Sequence, residues 1–148
     1  MLTDTVAKVL SEKGNQVYSV TPDQPAIDAM ALMAKKGIAA VLVVSADRPV
    51  GIVSAKDYGN RVVLDGRSSE ATNVGSIMTS PVITVSPEAT VSLAMAVMTS
   101  SRIRHLPVMD QDRLVGIVTI GDLARSIIEE QALTIDQLHG YIGQKYPG

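Results

Sequence analysis

The sequence of 148 residues has no cysteine, no phenylalanine, no tryptophan and only two histidines. The missing cysteine excludes disulfides, thiolate nucleophiles and thiolate-ligated metals together, and two histidines are too few for the usual Cys/His sites, so no metal is expected. Four tyrosines are the only aromatics. The core therefore has to be made from Val, Ile, Leu, Ala and Met, and the stacking platforms of single-strand nucleic-acid binders are missing. Charge is also sparse, with 19% charged residues and a formal net charge of −2. That balance lacks the broad positive face of a nucleic-acid binder, and nucleic acid is not an expected partner. No run comes near the roughly 18 apolar residues of a membrane span. The opening MLTDTVAKVL has neither the basic flank nor the apolar centre of a signal peptide, which predicts a cytoplasmic protein with no membrane partner. What is present, 46% apolar residues over about one domain's length, describes a folded chain with a real core.

The strongest positive signal is a repeat. Residues 17–58 align with 82–123 at a constant offset of 65 without a gap. The offset matches Pro22 to Pro87, Ala29-Met30 to Ala94-Met95, Met33 to Met98, Val50-Gly51-Ile52-Val53 to Val115-Gly116-Ile117-Val118, and Asp57 to Asp122. Two copies at this period make an intramolecular pseudo-dimer rather than a solenoid. Each copy predicts the same elements. A short strand (Val17 to Val20; Val82 to Val85) runs into Thr21-Pro22 or Ser86-Pro87, which reads as a helix start. An apolar stripe follows (Ile27, Met30, Met33; Val91, Met95, Met98). Two hairpin strands come next (Ala39 to Val44 with Val50 to Val53; Leu106 to Met109 with Val115 to Val118), then a closing helix (Ala55 to about Leu64; Ile120 to about Glu130). The fold class is thus α/β (α+β), two β-α-β-β-α units. Residues 1–76 hold the first unit with a leading helix around Val6, Val9 and Leu10 and a polar linker from Asp65 to Ser76. Residues 77–130 hold the second. The tail, 131–148, carries Leu133, Leu138, Tyr141 and Ile142, to pack locally or on a second subunit, and an exposed His139.

The candidate chemistry sits where the last strand of each copy enters a helix, at Ser54-Ala55-Lys56-Asp57 and Thr119-Ile120-Gly121-Asp122. One reading is structural: a hydroxyl N-cap with an acid three residues on, a form of capping box. The other is functional, and compatible with it: a carboxylate at such a corner can accept both hydroxyls of a ribose, as in dinucleotide folds. Gly121 in a first helical turn costs about 1 kcal/mol and makes sense where a ligand approaches the backbone. The copies diverge most at Arg102, Arg104 and His105, which face Gly37, Ala39 and Ala40 across the repeat. A basic pair, Arg104-His105, at the mouth of a strand suits a phosphate. Lys56, Tyr58, Arg61 and Arg125 lie on the closing helices, where a surface role is the simpler expectation, as it is for Arg102. No nucleophile and base occur together, so enzyme activity is not expected.

Taken together, the twin G-I-V-[ST]-x-x-D motifs, the IMTSPVITV junction (residues 77–85) and the RIRHLPV strand (residues 102–108) resemble a tandem pair of cystathionine-β-synthase (CBS) domains of the stand-alone bacterial type. The resemblance covers about residues 15–130. It implies two units packed pseudo-symmetrically through their sheets, clefts between them for an adenosine-containing ligand, a regulatory role in signal transduction, and association as a homodimer. It further implies that Asp57 and Asp122 hold ribose, with Ser54 and Thr119 beside them, and that Arg104 and His105 hold phosphate. Lys56 adds charge at the first motif, while Tyr18, Ile83 and Thr84 lie where the family contacts adenine. No cofactor is required. AMP is the first candidate ligand, before ATP, ADP, NAD or S-adenosylmethionine, and the regulated protein partner is not encoded. Ala39 and Ala40 depart from the basic pattern, and the sequence leaves open which aspartate shares a cleft with Arg104 and His105. The competing function is a structural, dimerising module with vestigial clefts.

Overall fold

The computed structural model describes residues 4–145, with side chains to 138, so the side chains of His139, Tyr141 and Ile142 lie outside the described residues. Helix α1 (Val6–Lys13) is capped by the Thr5 hydroxyl and stops at Gly14, whose φ of 104° few other residues adopt. Strand β1 (Ser19–Val20), helix α2 (Ala26–Lys36), strands β2 (Ala40–Ser45) and β3 (Arg48–Ser54), and helix α3 (Ala55–Tyr58) with its π-helical turn Gly59–Val63 form the first unit. A short helix α4 (Val74–Ile77) leads to the second unit, made of α5 (Val91–Ser101), β4 (His105–Asp110), β5 (Arg113–Thr119) and α6 (Ile120–Lys145). The chain thus folds as the expected mixed α/β pair.

The hairpins are near copies. Strands β2 and β3 pair antiparallel with Ala40 opposite Ser54, and β4 and β5 with His105 opposite Thr119. Both carry the same irregularity, after Val43 and after Val108. Parallel β1 completes a three-stranded sheet, with Tyr18 O accepting from Leu42 N. In the second unit the expected strand Val82 to Val85 shrinks to one bridge, Val85 to Val108. The cause is Pro107, which stands at the place of Leu42 and has no N–H to donate.

Both first helices start later than Thr21-Pro22 and Ser86-Pro87 implied, after Pro25 and after Thr90, whose hydroxyl accepts from Leu93 N. The displaced segments have other work. Pro22 O accepts from Gly75 N and Pro87 O from Ala7 N, which docks a foreign segment against each unit. The polar linker expected from Asp65 to Ser76 accordingly ends in helix α4, with Val74 and Ile77 fully buried.

Those dockings reveal an exchange. Helix α1, first in the chain, buries Val6, Val9 and Leu10 in the second unit's core with Met98, Leu106, Val118 and Leu123. Helix α4, which precedes the second unit, buries Val74 and Ile77 in the first unit's core with Met33, Val41 and Val53. Gly51 and Gly116 mark the contact: a Cβ on the former would lie 2.8 Å from Met78 Cγ, and on the latter 2.8 Å from Leu10 Cδ2. Each hairpin is glycine where the other repeat's leader crosses it. At the hairpin tips an exposed Arg48–Asp112 pair, 3.6 Å apart, spans the two units. Helix α6 runs past the expected end near Glu130 to Lys145, with Leu133, Ile135 and Leu138 exposed. Among the described residues no helix is long and apolar enough to cross a membrane.

Candidate functional site

The strand-to-helix corners are built alike. At the first, Asp57 Oδ2 accepts from Ser54 N (2.9 Å) and Ser54 Oγ (3.0 Å), while Ser54 Oγ accepts from Asp57 N (3.1 Å). At the second, Asp122 Oδ2 accepts from Thr119 N (2.8 Å), and Thr119 Oγ1 from Asp122 N (3.1 Å). Both are reciprocal capping boxes. The Arg104 carbonyl accepts from Ile120 N at 2.9 Å, which sets the Arg104-His105 pair against the second corner.

A cleft of about 420 Å³ opens beside that corner. The second unit lines it with Arg104, His105, Thr119 and Gly121, the first with Tyr18, Ile38, Ala39 and Ala40, and the leader with Lys13 and Gln16. Tyr18, Arg104, His105 and Thr119 therefore line one cleft, a grouping that the sequence left open. Ser54, Lys56, Asp57, Ile83 and Thr84 do not line this cleft. Tyr58 and Arg61 are engaged elsewhere, the hydroxyl with Ser69 (2.7 Å) and the guanidinium with Ile77 O (2.8 Å). Arg125 pairs with Glu129 beside a smaller cleft of about 340 Å³. A Cβ on Gly121 would meet only Thr119 Oγ1, at 3.6 Å, so protein packing does not require the glycine. Gly121 belongs to the lining of the cleft, and its lack of a side chain leaves that part of the wall open.

Lys13 is the residue that sequence reasoning missed. Its ammonium donates to Asp122 Oδ2 at 2.6 Å and to Ile117 O at 2.9 Å. The signal for it was a weaker repeat in the leaders, Thr5-Val6 through Val9-Leu10 against Asn73-Val74 through Ile77-Met78, offset by 68 rather than 65. Lys13 lines the larger cleft; Asp122 does not. Burial raises the Asp122 carboxyl, but the Lys13 ammonium and the Thr119 hydrogen bonds outweigh it and hold the group below its usual value. Burial lowers His105 as well, and the positive charges of Lys13 and Arg104 add to that against the opposing pull of Asp122. Burial and the neighbouring cations thus both disfavour the imidazolium. Lys36 Nζ lies 5.1 Å from the Tyr18 ring centre, a cation–π distance that steadies the one aromatic in the lining.

The sequence matches the CBS domain family over residues 6–58 and again over 74–129. The chain belongs to the CBS-domain family. Its two matched stretches begin with the leaders, so each CBS unit as counted along the chain has its first helix on the other. Among curated relatives, the mitochondrial CBS-domain protein CBSX3 of Arabidopsis thaliana is 35% identical over 96% of this chain and 73% of its own length. The CBS-domain protein YhcV of Bacillus subtilis is 34% identical over 74% of this chain and 77% of its own. Among solved structures, a CBS-domain protein from Burkholderia ambifaria MC40-6 superposes with a TM-score of 0.81 at 47% identity, covering 86% of this chain and 96% of that one. The CBS pair is thus shown by sequence and by fold.

Proposed function

We propose that this CBS pair is a non-catalytic regulatory module that binds an adenosine-containing nucleotide, AMP first among the candidates, in the cleft beside Thr119. The observation that carries the reading is convergence: Tyr18 from one unit and Arg104, His105 and Thr119 from the other face a single cleft of about 420 Å³. That volume lies within the usual range for small-molecule sites, about 300 to 1,000 Å³. An aromatic for the base, a hydroxyl for the ribose and a basic pair for the phosphate fit a mononucleotide. Because the lining comes from both units, a ligand that prefers one arrangement of them shifts the pair toward it, which is what signalling requires. The Burkholderia relative, provisionally ascribed to signal transduction, is consistent with that role. The exposed Leu133, Ile135 and Leu138 of α6 offer apolar surface for a homodimer or for the regulated partner.

Isothermal titration with AMP, ADP, ATP, NAD and S-adenosylmethionine tests the reading. At least one is expected to bind more tightly than about 1 mM, roughly −4 kcal/mol, and Arg104→Ala to weaken it. If none binds, the clefts are vestigial and the module is structural.

A further inference from the structure

The first corner shows what the second lacks. Over β3, Thr79 pairs with Ile52 through both backbone groups, N to O at 2.9 Å and O from N at 3.1 Å. This is open to Thr79 because α4 ends at Ile77 and Pro81 keeps the following chain out of a helix. Over β5, α1 continues helical to Lys13, so the N–H of Ser11, the counterpart of Thr79, lies inside a helix. Ile117 O then receives the Lys13 ammonium instead. The leader alignment puts Pro81 opposite Lys13, so the first corner has no amine there. A fixed backbone pair has been replaced by a cation on a flexible stem.

That cation stands with Arg104 and His105 in the lining of the larger cleft and bonds a carboxylate that is absent from that lining. We propose that Lys13 is a ligand-responsive latch. In the fold described it bonds Asp122. When a phosphate group occupies the cleft against Arg104 and His105, the ammonium turns to the phosphate and gives up the carboxylate. Two features make the exchange feasible. The Lys13 and Asp122 side chains keep 31% and 24% of their exposure, so the pair competes with water and is a weak tie. The backbone of α1 need not move, since Val6, Val9 and Leu10 anchor it in the second core while the four-carbon stem swings. The released Asp122 becomes available to a ribose, which couples recognition of phosphate to recognition of sugar. Lys13 and Asp122 also line the smaller cleft with Glu12 and Glu129, so the turn is felt at the α1–α6 seam outside the binding site.

The identity of the anion as a nucleotide phosphate rests on the proposed function; the latch itself does not, and inorganic pyrophosphate tests it on the full chain. By titration calorimetry, Lys13→Met is expected to weaken pyrophosphate about tenfold, the worth of one charge-assisted contact. Asp122→Asn is expected to tighten it several-fold by freeing the ammonium, while weakening adenosine, which has no phosphate. A merely structural cross-link predicts the same sign for both variants. Pyrophosphate affinity unchanged or weakened in both, or no binding to the native protein at about 10 mM, overturns the latch. Should Lys13→Met not fold, the sign of the Asp122→Asn effect decides alone. A pyrophosphate response of opposite signs with no AMP or adenosine binding keeps the latch and overturns the nucleotide reading. AMP binding with pyrophosphate insensitive to both variants does the reverse.

Discussion

The two strand-to-helix corners share a motif, a capping box and a hairpin register, and differ in what lies over them. At Ser54–Asp57 the carboxylate is held by its own cap, and the neighbouring strand is paired by the backbone of Thr79. At Thr119–Asp122 the carboxylate is held by an ammonium from more than a hundred residues away, with a basic pair alongside. Duplication preserved the groups that make the helix start, which are local and serve both copies equally. It let diverge the groups reaching in from elsewhere, and there the copies acquire different chemistry. The second corner is the one that gathers cationic side chains from outside its own motif.

The comparison breaks most severely if the leaders are disturbed. Deleting residues 1–14 removes Val6, Val9 and Leu10 from the second core, a loss on the order of 5 kcal/mol at about 1.5 to 3 kcal/mol per buried aliphatic side chain. That approaches the whole stability of a domain. Thermal and urea unfolding followed by circular dichroism should show a chain that is largely unfolded, or whose second half is; a melting temperature within a few degrees of the native protein's would show α1 to be an appendage.

A smaller difference is set by pH. Because His105 is held below its ordinary value, the folded state resists a proton that the unfolded chain accepts, so ligand-free stability falls as pH drops through about 6.5. The groups facing the imidazole are Lys13 from α1, Asp122 from α6 and the adjacent Arg104. A bound phosphate favours the imidazolium, so anion affinity should rise as pH falls, by less than tenfold per pH unit. His105→Ala should flatten both trends relative to the native protein, with the ligand's own titration cancelling in the comparison. Identical pH profiles would remove His105 from the anion site.

The smallest effect sharpens the same contrast at the ends of the first helices. Helix α2 ends at Gly37 with φ 65°, and α5 ends at the equivalent Arg102 with φ 55°. Glycine suits that left-handed position and arginine does not. Arg102→Gly is expected to raise stability by about 0.5 to 1 kcal/mol in urea titration. A loss instead would show that the Arg102 side chain contributes a contact of its own.

Much of the fold was legible because a gapless 65-residue offset carries strand alternation, hairpins and both corners at once. The misplaced parts were those set by pairing between distant segments. The hydroxyl-proline pairs at 21–22 and 86–87 look like helix caps until Gly75 and Ala7 use their carbonyls. Pro107 reads as a normal strand residue until its missing N–H is needed by a neighbour. Val74 and Ile77 look like strays in a polar linker until the exchanged packing buries them. Of the candidate site, Arg104 and His105 stood out by breaking the repeat, whereas Lys13 lay before the repeat as aligned, where divergence from a counterpart could not be seen.

The exchanged leaders also bear on how the protein comes into being. A ribosome releases Val6 before any residue of the core that receives it, which is completed only with Leu123. The first unit, for its part, cannot close until Ile77 has emerged. The half whose core runs from Val20 to Ile77 can therefore close first without α1, whereas the half that receives α1 has to wait for Leu123. The earliest-made helix must wait with its apolar face uncovered while the whole first unit is made and until Leu123 has emerged, and the half made last closes on the segment made first.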